Sequence, residues 1–194
     1  MDPILRIYNQ RDNHKPTPEY IEWVQQTVRE ENLGQVDPRK IIRNRRGANQ
    51  LFRGKMYVFS YMPKGKNTLP YYDRFPLMVL EEDRDDSIYG WNLHYLPYDK
   101  RDFVLLQLTG LVSNQRYDAT TRFRLTYQLI RDLSKYRWMK DCYRRYKRSR
   151  ILGKIVLIPA DQWFIAARMP FDLFMKKSKT RVWTDTRRNY YEDR

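Results

Sequence analysis

The stretch GKMYVFSYMPKGKNTLPYYDRFPLMVLEED, residues 54–83, contains the clearest strand pattern in the chain. Its first part alternates between two faces, one with Tyr57, Phe59 and Tyr61 and the other with Met56, Val58 and Ser60. Aromatic and β-branched side chains bounded by glycines predict a strand, and FPLMVLEED predicts a second one. Pro70 and Pro76 hold the residues before them in extended geometry, so the connection between the two strands is interpreted as scaffold.

Three more strands are expected further along the chain. SIYGWNLHYLP, residues 87–97, predicts the third strand, and the acidic EEDRDD before it predicts a hairpin loop because six consecutive charged residues cannot enter a sheet core. KIVLIPADQWFIAARMP, residues 154–170, predicts a strand, a turn and another strand. About five strands with helices packed on them indicate an α+β fold built on a small, partly open β-barrel of SH3-like type.

A helical insertion is predicted at about residues 99–150. DKRDFVLLQLTGLV is the first helix, and DATTRFRLTYQLIRDLSKY, capped by Asp118, is the second. In MKDCYRRYKR, apolar residues at helical spacing predict a third helix that buries its tyrosines and displays its cations. FDLFMKKSK predicts a last short helix.

The order of these elements divides the chain into three regions. Residues 1–50 are predicted to be a basic N-terminal arm with one helix starting at Thr17 and Pro18, since few large apolar residues are available there to bury. Residues 51–178 form the core, and residues 179–194 form a basic C-terminal tail. We find no internal repeat and no low-complexity segment.

Positive charge is concentrated in three segments. The formal net charge is +15, and residues 39–55, 135–150 and 176–188 contain seven, eight and six Lys or Arg residues against none, one and one acid. Such a concentration indicates docking on a polyanion, which is nucleic acid, an anionic membrane or an acidic protein surface. A membrane is disfavoured because no long apolar stripe or spanning segment is present.

The candidate docking residues come from these three segments. They are Arg43, Arg45, Arg46, Lys140, Arg144, Arg145, Lys147, Arg148, Lys176, Lys177, Arg187 and Arg188. Cations without an exposed aromatic platform favour phosphate contact over base reading. A separate pair, Tyr71 and Tyr72, is expected at the barrel mouth as a contact for a protein partner.

Catalysis has little support in the sequence. Two histidines, a single cysteine (Cys142) and the absence of a Gly-rich phosphate loop or paired metal-ligand motifs leave no cofactor or metal site to predict. The best enzyme hypothesis is a Mg²⁺-dependent nuclease, whose carboxylates would be Asp73, Glu81, Glu82, Asp83, Asp85 and Asp86. Most of these lie in one loop, where a solvated turn is the better interpretation.

Several motifs together resemble a known family. They are RGKMYVFSYMPKGKNTLPYYDRFPLMVL, YGWNLHYLP, TRFRLTYQLI, CYRRYKRSRILGKIVLIPADQW and VWTDTRR. The combination, over residues 53–188, is similar to small virion proteins of T4-like contractile-tailed bacteriophages, often labelled DNA end protectors or structural proteins. Tyr98, in place of a second proline, and SIYGW depart from the family pattern. The resemblance implies a minor particle component at the portal, neck, tail or baseplate, and no catalytic residues.

Three functional hypotheses follow. The first is a virion part, assembled in the host cytoplasm and present in several copies in a symmetric assembly, that docks on packaged double-stranded DNA or on acidic subunits. The second is an assembly adaptor with protein partners only, whose arm and tail fold onto other virion subunits. The third and least favoured is a head-completion nuclease.

Overall fold

The computed structural model describes residues 2–31, 33, 34, 36–112 and 116–191. Its helices are α1 (Pro3–Tyr8), α2 (Pro18–Glu30), α3 (Pro38–Asn44), α4 (Tyr98–Val112), α5 (Ala119–Leu133), α6 (Arg137–Cys142), α7 (Trp163–Arg168) and α8 (Lys179–Tyr191). Its strands are β1 (Met56–Tyr61), β2 (Tyr72–Asp73), β3 (Leu77–Asp83), β4 (Ser87–Asn92), β5 (Tyr143–Lys147), β6 (Ile151–Ile158) and β7 (Phe174–Met175). Within these residues no helix has the length and apolar character needed to cross a bilayer.

Five strands form one antiparallel sheet in the order β5-β4-β3-β1-β6. The edge strands β5 and β6 follow each other in the chain, joined only by a 3-10 turn at Arg148–Arg150, so the sheet curls strongly. It is nevertheless not closed into a barrel. The α+β class and a sheet of five strands are confirmed, although the fifth strand is β5 and not the second strand predicted in residues 154–170, and the SH3-like type stays a prediction. A two-stranded ribbon of β2 and β7 lies beside the sheet.

The sheet is buried on both faces. Met56 and Val58 point into the main core, which the helices cover. Tyr57, Phe59 and Tyr61 point into a smaller core on the opposite face, together with Tyr146. The alternation predicted for residues 56–61 is therefore confirmed, and it separates a helix-covered layer from an aromatic layer.

Residues 2–31 pack onto the main core. Asp2 caps α1 by accepting the Ile4 N–H at 2.9 Å, and Thr17 caps α2 by accepting the Tyr20 N–H at 3.2 Å, as predicted for Thr17. The apolar faces of these helices bury Ile4, Ile7, Tyr20 and Val24 in the same cluster as the sheet. The division of the chain at residues 50 and 178 stays a prediction about domain boundaries.

Three predicted elements are wrong. MKDCYRRYKR is not one helix, because α6 ends at Cys142 and the chain then pairs with β4 as β5. Trp163–Arg168 is a helix and not a strand, because a segment buried on all sides has no periodicity that separates the two. Phe174–Met175 is a strand and not a helix, since it pairs with β2, and the following residues form α8.

A fully buried arginine joins the helical layer. The Arg101 guanidinium donates to the carbonyls of Leu96 at 2.8 Å, Ala167 at 2.7 Å and His94 at 3.2 Å. It also lies 5.4 Å from the ring centroid of Trp183 in α8. Burial lowers the pKa of Arg101, and the nearby Asp172 carboxylate opposes that shift. One side chain therefore holds α4, α7, α8 and the turn after β4 together.

We predict that Gly90→Ala destabilises the sheet. A Cβ at Gly90 in β4 would lie 2.2 Å from the Val79 carbonyl oxygen, so two backbones would have to separate at a cost of about 2 kcal/mol or more. Gly110→Ala is the control, because a Cβ there meets nothing within 4 Å in a helix, and the change should stabilise by about 0.5–1 kcal/mol. Urea unfolding measures both, and equal midpoints would contradict the prediction.

We predict that Arg101→Lys lowers the free energy of unfolding by about 3 kcal/mol. A single ammonium cannot reproduce the planar set of donors, so at least one buried carbonyl loses its partner. Arg124→Lys on the exposed face of α5 is the matched control and should change stability by less than about 0.5 kcal/mol. The prediction fails if the two variants unfold at the same denaturant concentration.

Candidate nucleic-acid interface

The end of α3 and the middle of β6 form a basic surface. Asp37 starts α3 by accepting the Arg39 N–H at 3.0 Å, and Ile41 faces the core, which leaves the cations of the helix outside. Lys154 in β6 donates through Nζ to the carbonyl of Arg43 at 3.2 Å and to that of Arg45. We call this surface the α3–β6 basic patch; it consists of Arg39, Lys40, Arg43, Arg46 and Lys154.

Most cations of this patch have no ion-pair partner among the described residues. Arg43 and Arg46 are exposed and make no ion pair with any described residue, whereas Arg39 lies 3.8 Å from Asp37. Lys154 places its ammonium on the carbonyls at the C-terminal end of α3, where a positive charge is favoured. Among the residues that the structure describes, Arg39 is therefore the only cation of the patch with an ion-pair partner.

Arg45 has a different position from its neighbours. Its side chain is only 10% exposed and forms an ion pair with Asp2, which is 3% exposed. Asp2 also caps α1, so this pair joins the start of α1 to the end of α3. Arg45 thus holds the end of α3 against α1 and thereby keeps the patch in position.

Two arginines in and just after β5 face the acidic hairpin between β3 and β4. Arg145 pairs with Asp86 at 2.9 Å, and Arg148 pairs with Asp83. Lys147 is exposed without an ion pair to a described residue. The hydrogen bond with Ser87 lowers the pKa of the Asp86 carboxyl, and the charges of Arg145 and Lys147 lower it further. The acids predicted to form a solvated loop therefore neutralise much of the charge on this edge of the sheet.

Lys140 and Arg144 lie on either side of the point where α6 becomes β5. Lys140 is exposed on α6 and makes no ion pair with a described residue. Arg144 is half-buried over the Tyr95 ring, 4.3 Å from its centroid, and its Nε has no hydrogen-bond partner among the described residues. Arg144 thus packs inward, and Lys140 faces solvent.

Some of the C-terminal cations contact other protein groups, and others are exposed to solvent. Lys176 donates to the carbonyls of Asn67 and Leu69, both at 2.8 Å, and Lys177 pairs with Asp185 at 3.0 Å. Arg187 and Arg188 are exposed on α8 and make no ion pair with a described residue. The three segments that were grouped by charge are thus not equivalent.

Tyr71 and Tyr72 are half-buried. The Tyr71 ring lies 6.0 Å from that of Tyr95 and 6.3 Å from that of Phe174, and Lys177 covers it at 4.7 Å. Burial raises the pKa of the Tyr71 hydroxyl. Tyr72 pairs with Met175 in the ribbon. A role for this pair in contacting a protein stays a prediction.

The carboxylates considered for a nuclease do not converge. Asp73 is buried, where it accepts from Asn92 Nδ2 at 2.9 Å and binds His94 Nδ1 at 2.7 Å. Asp83 and Asp86 are on the hairpin with their arginines. No cluster of three or more His, Cys, Asp or Glu side chains suited to a metal occurs in the described part of the chain. Burial raises the pKa of the Cys142 thiol, which keeps it protonated and weakly reactive.

The family model described as Phage T4 terminal DNA protecting protein matches residues 19–188. The chain belongs to this family. The resemblance to T4-like DNA end protectors is thereby confirmed, and membership implies a virion-associated bacteriophage protein that associates with DNA ends. The family is described by a protective role and not by a reaction. No curated protein and no solved structure matches the chain.

Two groupings of residues are not predicted from the sequence. Lys154 is predicted only as part of a strand, although a single lysine inside the apolar run ILGKIVLI is a signal that one position of that strand faces solvent or a polar partner. The N-terminal segment also brings the rings of Tyr8, His14 and Tyr20 together, with Tyr8 and His14 stacked at 3.8 Å. Their spacing in the sequence suits neither a strand nor one helix, so periodicity could not group them.

Proposed function

We propose that this chain binds the ends of phage DNA as a minor structural component of the virion, and that the α3–β6 basic patch makes the main contact with the phosphate backbone. The observation that carries the proposal is the exposure of Arg43 and Arg46 beside Lys154 without an acidic partner among the described residues. Cations of this kind bind phosphates and release the counterions that surround DNA.

We choose this patch because most of the other candidate cations already contact protein groups. Arg145 and Arg148 already contact carboxylates, and a phosphate would have to displace Asp86 and Asp83 to reach them. Arg45, Arg144, Lys176 and Lys177 hold internal contacts. Lys140, Arg187 and Arg188 are exposed and remain additional candidates for the backbone.

The expected contact is independent of base sequence. α3 has seven residues, and its exposed side chains are Arg39, Lys40, Arg43 and Asn44. The three cations suit phosphate oxygens, which carry no base sequence. A location at the neck, portal, tail or baseplate, and several copies in a symmetric assembly, belong to this proposal as parts still to be measured.

The succession of edge strands β5 and β6 around a 3-10 turn supports the SH3-like type.

A second function, an assembly adaptor with protein partners only, is supported by the outer face of α4. Phe103 is 39% exposed, Leu106 is 40% exposed and the neighbouring Tyr136 is 47% exposed. The Phe103 and Tyr136 rings lie 6.2 Å apart, so these side chains form one apolar surface. Such a surface suits contact with another subunit.

We predict that Arg43→Ala combined with Arg46→Ala weakens binding to linear duplex DNA and reduces its salt dependence. Each phosphate contact contributes a slope of about −0.9 in a plot of log K against log salt, so losing two should reduce the slope by about 1.8. Fluorescence anisotropy over a series of salt concentrations measures the change.

The matched control is Arg145→Ala combined with Lys147→Ala, which removes the same two charges from the edge of the sheet beside the hairpin acids. This variant should keep the slope of the unmodified chain within about 0.5. A larger loss in the control than in the α3 variant would transfer the contact to β5. Weak binding of the unmodified chain that hardly responds to salt would remove DNA as the partner and favour the adaptor.

A further inference from the structure

A cleft of about 640 Å³ lies between the N-terminal segment and α7. One wall consists of Tyr8 and residues 13–16, and the opposite wall contains Ala160, Asp161 and Phe164. The volume is in the range of sites for small organic ligands. Phe164 is buried at its base, whereas Asn13, Lys15 and Asp161 are exposed, so the cleft opens to solvent.

Three aromatic rings, those of Tyr8, His14 and Phe164, line this cleft. Tyr8 and His14 are stacked with their centroids 3.8 Å apart and their planes at 12°. The Tyr20 ring lies edge-on to His14 at 5.9 Å and to Phe164 at 6.2 Å. The stack is held firmly, because the Tyr8 hydroxyl donates to Asp161 at 2.6 Å and His14 Nε2 lies 2.9 Å from the Tyr8 carbonyl.

Polar groups at the rim can bond to the edge of a flat heterocycle. The Asp161 carboxylate accepts hydrogen bonds, and the Asn13 amide both donates and accepts. The Asp161 carboxylate also raises the pKa of the Tyr8 hydroxyl, which therefore stays protonated and keeps its bond. Lys15 adds one cation. Rings for stacking, with donors and acceptors around them, match a nucleobase better than a phosphate.

We propose that this cleft takes the terminal nucleotide of a DNA end, with its base stacked on the aromatic rings. The inference rests on the DNA-binding function proposed above and gives that function its preference for ends. A base inside a duplex must leave two stacking neighbours and its pairing partner to enter a cleft, whereas a terminal base has only one neighbour and is opened at lower cost. The free energy gained by stacking in the cleft can therefore offset the cost of opening a terminal base, but not the cost of opening an internal one.

The position of the cleft relative to the α3–β6 basic patch fits one DNA strand. α1 has six residues and is about 9 Å long, with Asp2 and Arg45 at its start and Tyr8 at its end. We therefore expect a strand whose last base lies in the cleft to run towards the patch, where Arg43 and Arg46 can bind its phosphates.

The test compares a closed DNA minicircle with the same DNA opened by a single blunt cut, as competitors for a fluorescently labelled duplex. The unmodified chain should bind the cut DNA about tenfold more tightly per molecule than the circle, as expected from stacking of one base. His14→Ala should reduce this preference to about twofold or less and leave the affinity for the circle unchanged. His14→Phe, which keeps a ring for stacking, should retain most of the preference.

A second measurement distinguishes loss of base stacking from a local loss of structure in the variants. 2-Aminopurine at the terminal position should change its fluorescence when the unmodified chain or His14→Phe binds, and not when His14→Ala binds. The same base at an internal position should show little change with any of the three proteins. Far-UV and near-UV circular dichroism checks that both variants remain folded.

The outcomes separate the two proposals. Binding to circle and cut DNA with equal affinity, or a preference that survives His14→Ala, overturns the terminal-nucleotide site and leaves the phosphate contact standing. Loss of the preference in His14→Phe as well would also overturn it, because ring stacking would then not be the cause. No binding to either DNA contradicts the proposed function itself.

Discussion

The buried guanidinium of Arg101 is the interaction on which the helical layer depends. A charged group without water is costly unless its hydrogen bonds are made, and here the donors meet carbonyls from Leu96, Ala167 and His94. Next to it, Asp73 holds Asn92 and His94 in the same interior. These polar contacts fix the end of β4, α4, α7 and α8 in one arrangement.

That arrangement determines which cations are accessible. α7 is the surface on which α1 and α2 pack, and α1 is joined to α3 by the ion pair of Asp2 and Arg45. α3 in turn is held to β6 by Lys154. The chain of contacts from the interior to the patch explains how Arg43 and Arg46 remain exposed on a rigid support. It also places the aromatic cleft and the patch at opposite ends of the same short helix.

Local patterns predicted much of the sheet and the helix starts, because alternation, capping residues and proline positions act over a few residues. Thr17, Asp37 and Asp118 start helices as their types indicate. The prediction was wrong where tertiary contacts decide the structure. β5 is extended because β4 offers it a free edge and because Tyr146 fills the aromatic core, and neither fact is visible in MKDCYRRYKR.

For the candidate site, the contacts that determine which cations are accessible are even less visible in the sequence. The sequence indicates which residues are cationic, but Arg145 and Arg148 meet acids about sixty positions earlier in the chain, at separations of 59 and 65 residues. Arg45 meets Asp2 in the same way. Charge density alone therefore does not distinguish cations paired with carboxylates, such as Arg145 and Arg148, from exposed cations such as Arg43 and Arg46. The role of Arg101 as an internal support was missed because arginine is rarely fully buried.

We propose that DNA lies on the α3–β6 basic patch and not on β5. Lysine acetylation footprinting with mass spectrometry tests it directly, by comparing the reactivity of Lys40 and Lys147 in the free chain and in its complex with linear duplex DNA. Both side chains are exposed in the free chain. DNA should protect Lys40 and leave Lys147 as reactive as before. Protection of Lys147 with Lys40 unchanged would show that DNA lies on β5 instead.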